Sequence, residues 1–154
     1  MKYLLISCLS AVLMLASCKS SDKAKSKEIA AKMPEITLSK SSCHGRCPVF
    51  SLEIYENGDM VFRGVKFVDH VGVFTGKLDK AEHKALRQLF VAKNFAGMED
   101  SYLATAKDLQ LIDLVFGEKA SKFHKRRAPE GLMDIVKKID SIIKQTTWAE
   151  KEAP

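Results

Sequence analysis

Cysteine and tryptophan are scarce in this chain, with four and one among 154 residues. Past residue 17 no apolar run is long enough to cross a bilayer as a helix. The acidic side chains are scattered singly, without the close pair that glycoside hydrolysis needs. No glycine-rich phosphate loop and no internal repeat occurs. A structural zinc site takes four ligands, and the one clustered stretch, residues 41–50 (SSCHGRCPVF), offers at most three. These absences leave no recognisable catalytic constellation and no cofactor to expect. The chain reads as a non-enzyme. It is basic, with 25 Lys and Arg against 19 Asp and Glu, a balance that favours anionic surfaces and says nothing about fold.

Where the protein lives decides how the cysteines behave. The chain opens MKYLLISCLSAVLMLASC, with Lys2 ahead of an apolar run from Tyr3 to Ala16. That run is too short for a stable span, so residues 1–17 read as a secretory signal. Its end, Leu15-Ala16-Ser17-Cys18, resembles the lipobox of bacterial lipoproteins. The resemblance implies cleavage before Cys18 and acylation of that residue, hence a membrane partner through an N-terminal lipid anchor. Lys19, rather than Asp, after the cysteine resembles lipoproteins sent to the outer membrane. Removing residues 1–17 takes away Lys2 alone, leaving 24 basic against 19 acidic side chains. Residues 18–34, CKSSDKAKSKEIAAKMP, lack aromatics and read as a flexible tether.

Cys8 leaves with the signal and Cys18 takes the lipid, so Cys43 and Cys47 remain. In an oxidising compartment a disulfide between them is the default. Closing so short a loop adds only about 2 kcal/mol, and Gly45 gives the reversal its conformational freedom. Two alternatives stay open. Soft thiolates with His44 or His124 suit copper, and a free pair suits thiol exchange. However, Pro48 leads into an alternating strand, whereas the copper chaperones with Cys-x-x-x-Cys-Pro place it before a helix. Nucleophilic catalysis needs a free thiolate, which a disulfide removes.

One domain is expected over residues 35–148, with a tail at 149–154. EITLSK alternates, and so does VFSLEIY, with Phe50, Leu52 and Ile54 on one face. ENGD signals a hairpin. A two-residue loop would set Leu52 opposite Arg63. A three-residue loop with Gly58 left-handed pairs Ile54 with Met60 and Leu52 with Phe62, which unites the apolar face. A strand over VGVFTGKL completes a meander. Asp79 with Glu82 opens a helix in the manner of a capping box, with Ala85, Leu86, Leu89 and Phe90 on one face. Residues 108–116 and 119–126 form a second hairpin around Gly117. Pro129 suits the first turn of a second helix carrying Leu132, Ile135, Val136, Ile139 and Ile143. The order condenses to βββ-α-ββ-α, an α+β domain whose antiparallel sheet of about five strands has both helices on one face.

The stretch ITLSKSSCHGRCPVFSLEIYENGDMVFRG resembles an uncharacterised bacterial envelope domain, a domain of unknown function carried by lipoproteins. The shared motif is a Cys-x-Gly-x-Cys-Pro loop between strands followed by an IY-x-x-G hairpin. It falls on Cys43, Gly45, Cys47, Pro48, Ile54, Tyr55 and Gly58. The likeness runs from about Ile36 through Ala128-Pro129 to Ile139-Asp140. Where relatives tend to show Thr-Asp-Leu-Pro, this chain has Lys107-Asp108-Leu109-Gln110. The resemblance implies a fold and an address and brings no activity.

Charge concentrates in KASKFHKRR, residues 119–127. As a strand it would set Lys119, Ser121, Phe123, Lys125 and Arg127 on one face. It reads either as a solvated strand end that discourages edge pairing or as an anion-contacting patch of Lys119, Lys122, Lys125, Arg126 and Arg127. The patch would take an anionic envelope ligand or a protein partner; the address argues against nucleic acid. His70 and His83 read as surface histidines, and Trp148 as a cap over the last helix. The expectation is an envelope lipoprotein whose domain is a binding or accessory module rather than a catalyst, with a periplasmic thiol-redox or copper-handling protein using Cys43 and Cys47 as the rival.

Overall fold

The computed structural model describes residues 33–106 and 108–151; the signal segment, Cys18 and most of the tether lie outside the described residues. Eight strands form one sheet: β1 (Ile36–Lys40), β2 (Val49–Ile54), β3 (Asp59–Lys66), β4 (Gly72–Lys77), β5 (Ser101–Tyr102), β6 (Leu111–Phe116), β7 (Lys119–His124) and β8 (Ala149–Glu150). Two helices join them, α1 (Lys80–Ala92) after β4 and α2 (Glu130–Gln145) after β7. The spatial order is β5-β7-β6-β1-β2-β3-β4-β8. Every pairing is antiparallel except β5 with β7. The fold is therefore α+β as expected, but the sheet has eight strands rather than about five, four of them ahead of α1. The two-residue strands β5 and β8 add an edge at each side, and β8 lies where the sequence placed a tail.

One face of the sheet makes the core. Ile36 and Leu38 of β1, Phe50, Leu52 and Ile54 of β2, and Met60 and Phe62 of β3 are buried at alternating positions. They pack in one cluster with Leu86 and Phe90 of α1 and with Leu132, Ile135, Val136, Ile139 and Ile142 of α2. Both helices thus cover the same apolar face. Ile142, rather than the expected Ile143, completes the buried stripe of α2; Ile143 is only half-buried.

The local signals for the first hairpin and the first helix behave as their chemistry dictates. Ile54 pairs with Met60 and Leu52 with Phe62, and Gly58 sits at φ 81, which is the three-residue loop. Asp79 caps α1 by accepting from the amides of Ala81 and Glu82. The capping box is not reciprocal, because the Glu82 carboxylate instead accepts from Lys138 of α2 at 2.8 Å. Pro129 stands at the N-cap of α2, one residue before its first turn. Trp148 reaches back over the end of that helix. Its indole donates to the Ile143 carbonyl at 2.9 Å, and its ring lies 5.3 Å from that of Phe62.

Candidate binding site at the cysteine-loop end

Strand register gathers several loops at one end of the sheet. Lys40, the last residue of β1, pairs with Phe50 and Ile112, and Leu111 pairs with His124 at the end of β7. The cysteine loop (41–48), residues 103–106 and 108–110, the turn 125–128 and the β3–β4 loop therefore share this end. The chain enters β1 at the other end, where Ile36 pairs with Ile54 and Phe116.

Cys43 and Cys47 stand at disulfide distance, with Cα atoms 5.9 Å apart. Gly45 between them has φ 145, a conformation that side chains disfavour. The loop is also held from outside. The Gln110 side-chain amide donates to the Ser41 carbonyl at 2.8 Å and to the Pro48 carbonyl at 2.7 Å, spanning both feet of the loop. The Leu111 amide donates to Ser41 Oγ at 2.9 Å, and the His44 amide to the Asp108 carbonyl at 3.1 Å.

Beside the loop lies a cleft of about 350 Å³, with Phe50 and Phe62 in its wall and Phe67 and His70 among the residues that line it. Lys40 continues the inward-facing positions of β1 and is buried. Its ammonium donates to both carboxylate oxygens of Asp140 on α2 at 2.7 Å and lies 5.3 Å from the Phe50 ring. A buried lysine is tolerated because it is paired. Phe67 holds a positive φ of 57, rare for a bulky side chain, and its ring is exposed. Arg46 of the cysteine loop and Lys66 each lie 5.7 Å from that ring, within cation–π range. The cleft thus combines an aromatic wall with charged groups of both signs.

The charged stretch 119–127 differs from the expectation in three ways. β7 ends at His124, so Lys125 and Arg127 do not share a strand face with Lys119. On the strand itself, Ser121 and Phe123 point into the core. Lys119 pairs with Asp100 at 2.5 Å and Lys122 with Asp113 at 3.5 Å. Lys122 is exposed but paired on the strand, whereas Lys125, Arg126 and Arg127 stand exposed in the turn, with no ion pair among the described residues. Turn residues terminate the strand because Arg127 and Ala128 amides both bond back to the His124 carbonyl.

His83 also departs from expectation. It is buried, and its Nε2 lies 2.9 Å from Glu35 Oε2. Arg87 reaches the other oxygen of Glu35 at 3.0 Å. The spacing in α1 that buries Leu86 also turns His83 inward, but its partner lies 48 residues away and leaves no local signal. On the sheet face away from the helices, Glu53 pairs with Arg63 at 2.7 Å and accepts from the Tyr55 hydroxyl at 2.9 Å. Burial first, and then the Glu53 hydrogen bond and charge, hold the Tyr55 phenol above its ordinary pKa. Its ionisable groups already satisfy one another.

Among the described residues no group of three or more His, Cys, Asp and Glu side chains is gathered to hold a metal. No described helix is long and apolar enough to cross a membrane. No curated protein matches the chain. Residues 34–143 match the family described as Domain of unknown function (DUF6438). That match covers well over half of the chain, and the chain belongs to the DUF6438 family.

Proposed function

We propose that the protein is an acylated lipoprotein of the bacterial envelope, bound to the outer membrane through Cys18, whose domain binds a partner rather than catalysing a reaction. The observation that carries the binding role is the loop end of the sheet. That end carries the cleft beside the cysteine loop and, several strands away, a turn whose three cations, Lys125, Arg126 and Arg127, stand exposed. The ligand class these cations fit is anionic envelope material. The anchor rests on Leu15-Ala16-Ser17-Cys18 and on the tether at 18–34.

Two measurements on protein taken from the envelope test this. Mass spectrometry of the mature N-terminus should find an acylated Cys18, and a Cys18→Ala chain should lose acylation and maturation at that site. Cleavage elsewhere with an unmodified Cys18 would sink the anchor. The rival reading, thiol exchange or copper handling on Cys43, Cys47 and His44, requires two alkylatable thiols in the native protein. A linked Cys43–Cys47 peptide and no free thiol would reject that rival and leave the loop as a staple for the binding end.

A further inference from the structure

The loop end carries more than cations. Val65 (61 % exposed), Phe67 (48 %), Val71 (62 %) and Leu103 (52 %) account for four of the six strongly exposed large apolar side chains among the described residues. Register places all four at this end. Val65 and Phe67 lie at the close of β3, Val71 precedes β4, and Leu103 follows β5. β5 runs parallel to β7 and so finishes where β7 does, beside His124. Cations with no ion pair among the described residues stand among them, with Arg46 and Lys66 against Phe67, Lys144 at the cleft, and Lys125 to Arg127 in the turn. Asp69 and Asp108 are the exposed acids of these loops, and Asp140 is neutralised by Lys40.

We infer that this end of the domain docks on an anionic lipid bilayer, with the four apolar side chains entering the interface and the cations meeting headgroups. The geometry favours a broad, flat partner. From β3 to β5 is five strand spacings, or about 24 Å, too wide for one small ligand. A soluble polyanion would use the cations and leave Val65, Phe67, Val71 and Leu103 in water. Basic side chains combined with exposed apolar ones are the chemistry of interfacial binding. The positive φ of Phe67 fits this reading, since strained backbone at an exposed aromatic marks a site held for contact. The inference deepens the binding role proposed above and rests on it. The tether of residues 18–34 can extend to about 55 Å, enough for the loop end to turn toward the bilayer that holds the anchor.

The test uses the mature, acylated chain in vesicles of either phosphatidylcholine alone or phosphatidylcholine with phosphatidylglycerol, both containing brominated acyl chains. The indole introduced by Phe67→Trp should keep its emission on neutral vesicles and lose most of it on anionic ones, with the unsubstituted chain subtracting Trp148. Adding Lys125→Glu and Arg127→Glu should restore much of the emission, because each basic side chain at an anionic surface is worth about five-fold in affinity. Hydrogen exchange on the unsubstituted chain guards against a misfolded variant. Amides of residues 65–71 and 103–106 should slow on anionic vesicles, while the 56–58 turn at the opposite end should not. Equal emission and equal exchange on both vesicle types would overturn the inference. If polyphosphate binds and the charge-reversed chain does not, with no lipid quenching, the anionic ligand stands and the bilayer contact is wrong. If neither polyphosphate nor anionic vesicles bind, both fail. Absence of sedimentation with neutral vesicles would mark a failed anchor separately.

Discussion

Gln110 donates to two carbonyls that no other described side chain reaches, at the two feet of the cysteine loop. Truncating it to alanine leaves both acceptors half-buried beside the cleft with only solvent to meet them. Each lost hydrogen bond is worth about 1 kcal/mol net, so Gln110→Ala should cost about 1–2 kcal/mol in chemical denaturation. Its clearer mark should be local, with faster hydrogen exchange at residues 42–47 and a Cys43–Cys47 bond that stays closed. Undiminished protection of those amides would mean that the disulfide alone orders the loop. Lys40 and Asp140 illustrate the same dependence on remote partners. The lysine is buried only because a carboxylate one hundred residues later meets it.

At the scale of elements, two glycines of positive φ separate backbone freedom from space. Gly58 closes the first hairpin at φ 81, and a β-carbon there would meet the Leu78 carbonyl oxygen at 2.6 Å. That residue cannot yield, because its amide donates back to the Gly58 carbonyl at 2.8 Å. Gly117, at φ 58, has open space around it. Gly117→Ala should therefore cost about 1–2 kcal/mol, the left-handed penalty alone. Gly58→Ala should cost clearly more in the same denaturation series, and equal costs would show that the Leu78 contact is not the constraint. The elements that could be read from the sequence are those whose cause is local. The alternation in β1 to β3 fixed the apolar face, Gly58 fixed the register, and Asp79 fixed the start of α1. The rest depended on partners far along the chain. β5 and β8 are two residues long and exist only through β7 and β4. The inward turn of His83 waits on Glu35. The charged stretch 119–127 reads in the sequence as one strand with charge on both faces, yet the turn bonds to the His124 carbonyl cut it short and scatter its proposed patch.

For the whole molecule, the staple and the core make contributions of different reach. The Cys43–Cys47 link closes a separation of four residues, whereas the buried core joins five strands to two helices. A Cys43→Ala/Cys47→Ala chain should lose about 2 kcal/mol or less and keep a cooperative transition and a folded core. Unfolding of that double variant would show that the loop end holds the sheet together, and that its role is not local. The position of β1 has a further consequence. It sits mid-sheet between β2, which follows it at once, and β6, with Ile36 facing Phe116, eighty positions further along the chain. A chain made from its N-terminus can zip β1 through β4 into a meander early. Until β6 arrives, the far edge of β1 stays open, and closing it spans a long loop, comparable to that of the short β4–β8 pairing. The seam between β1 and β6 is thus a late step of folding and, while it is open, an edge exposed to pairing with a neighbouring chain.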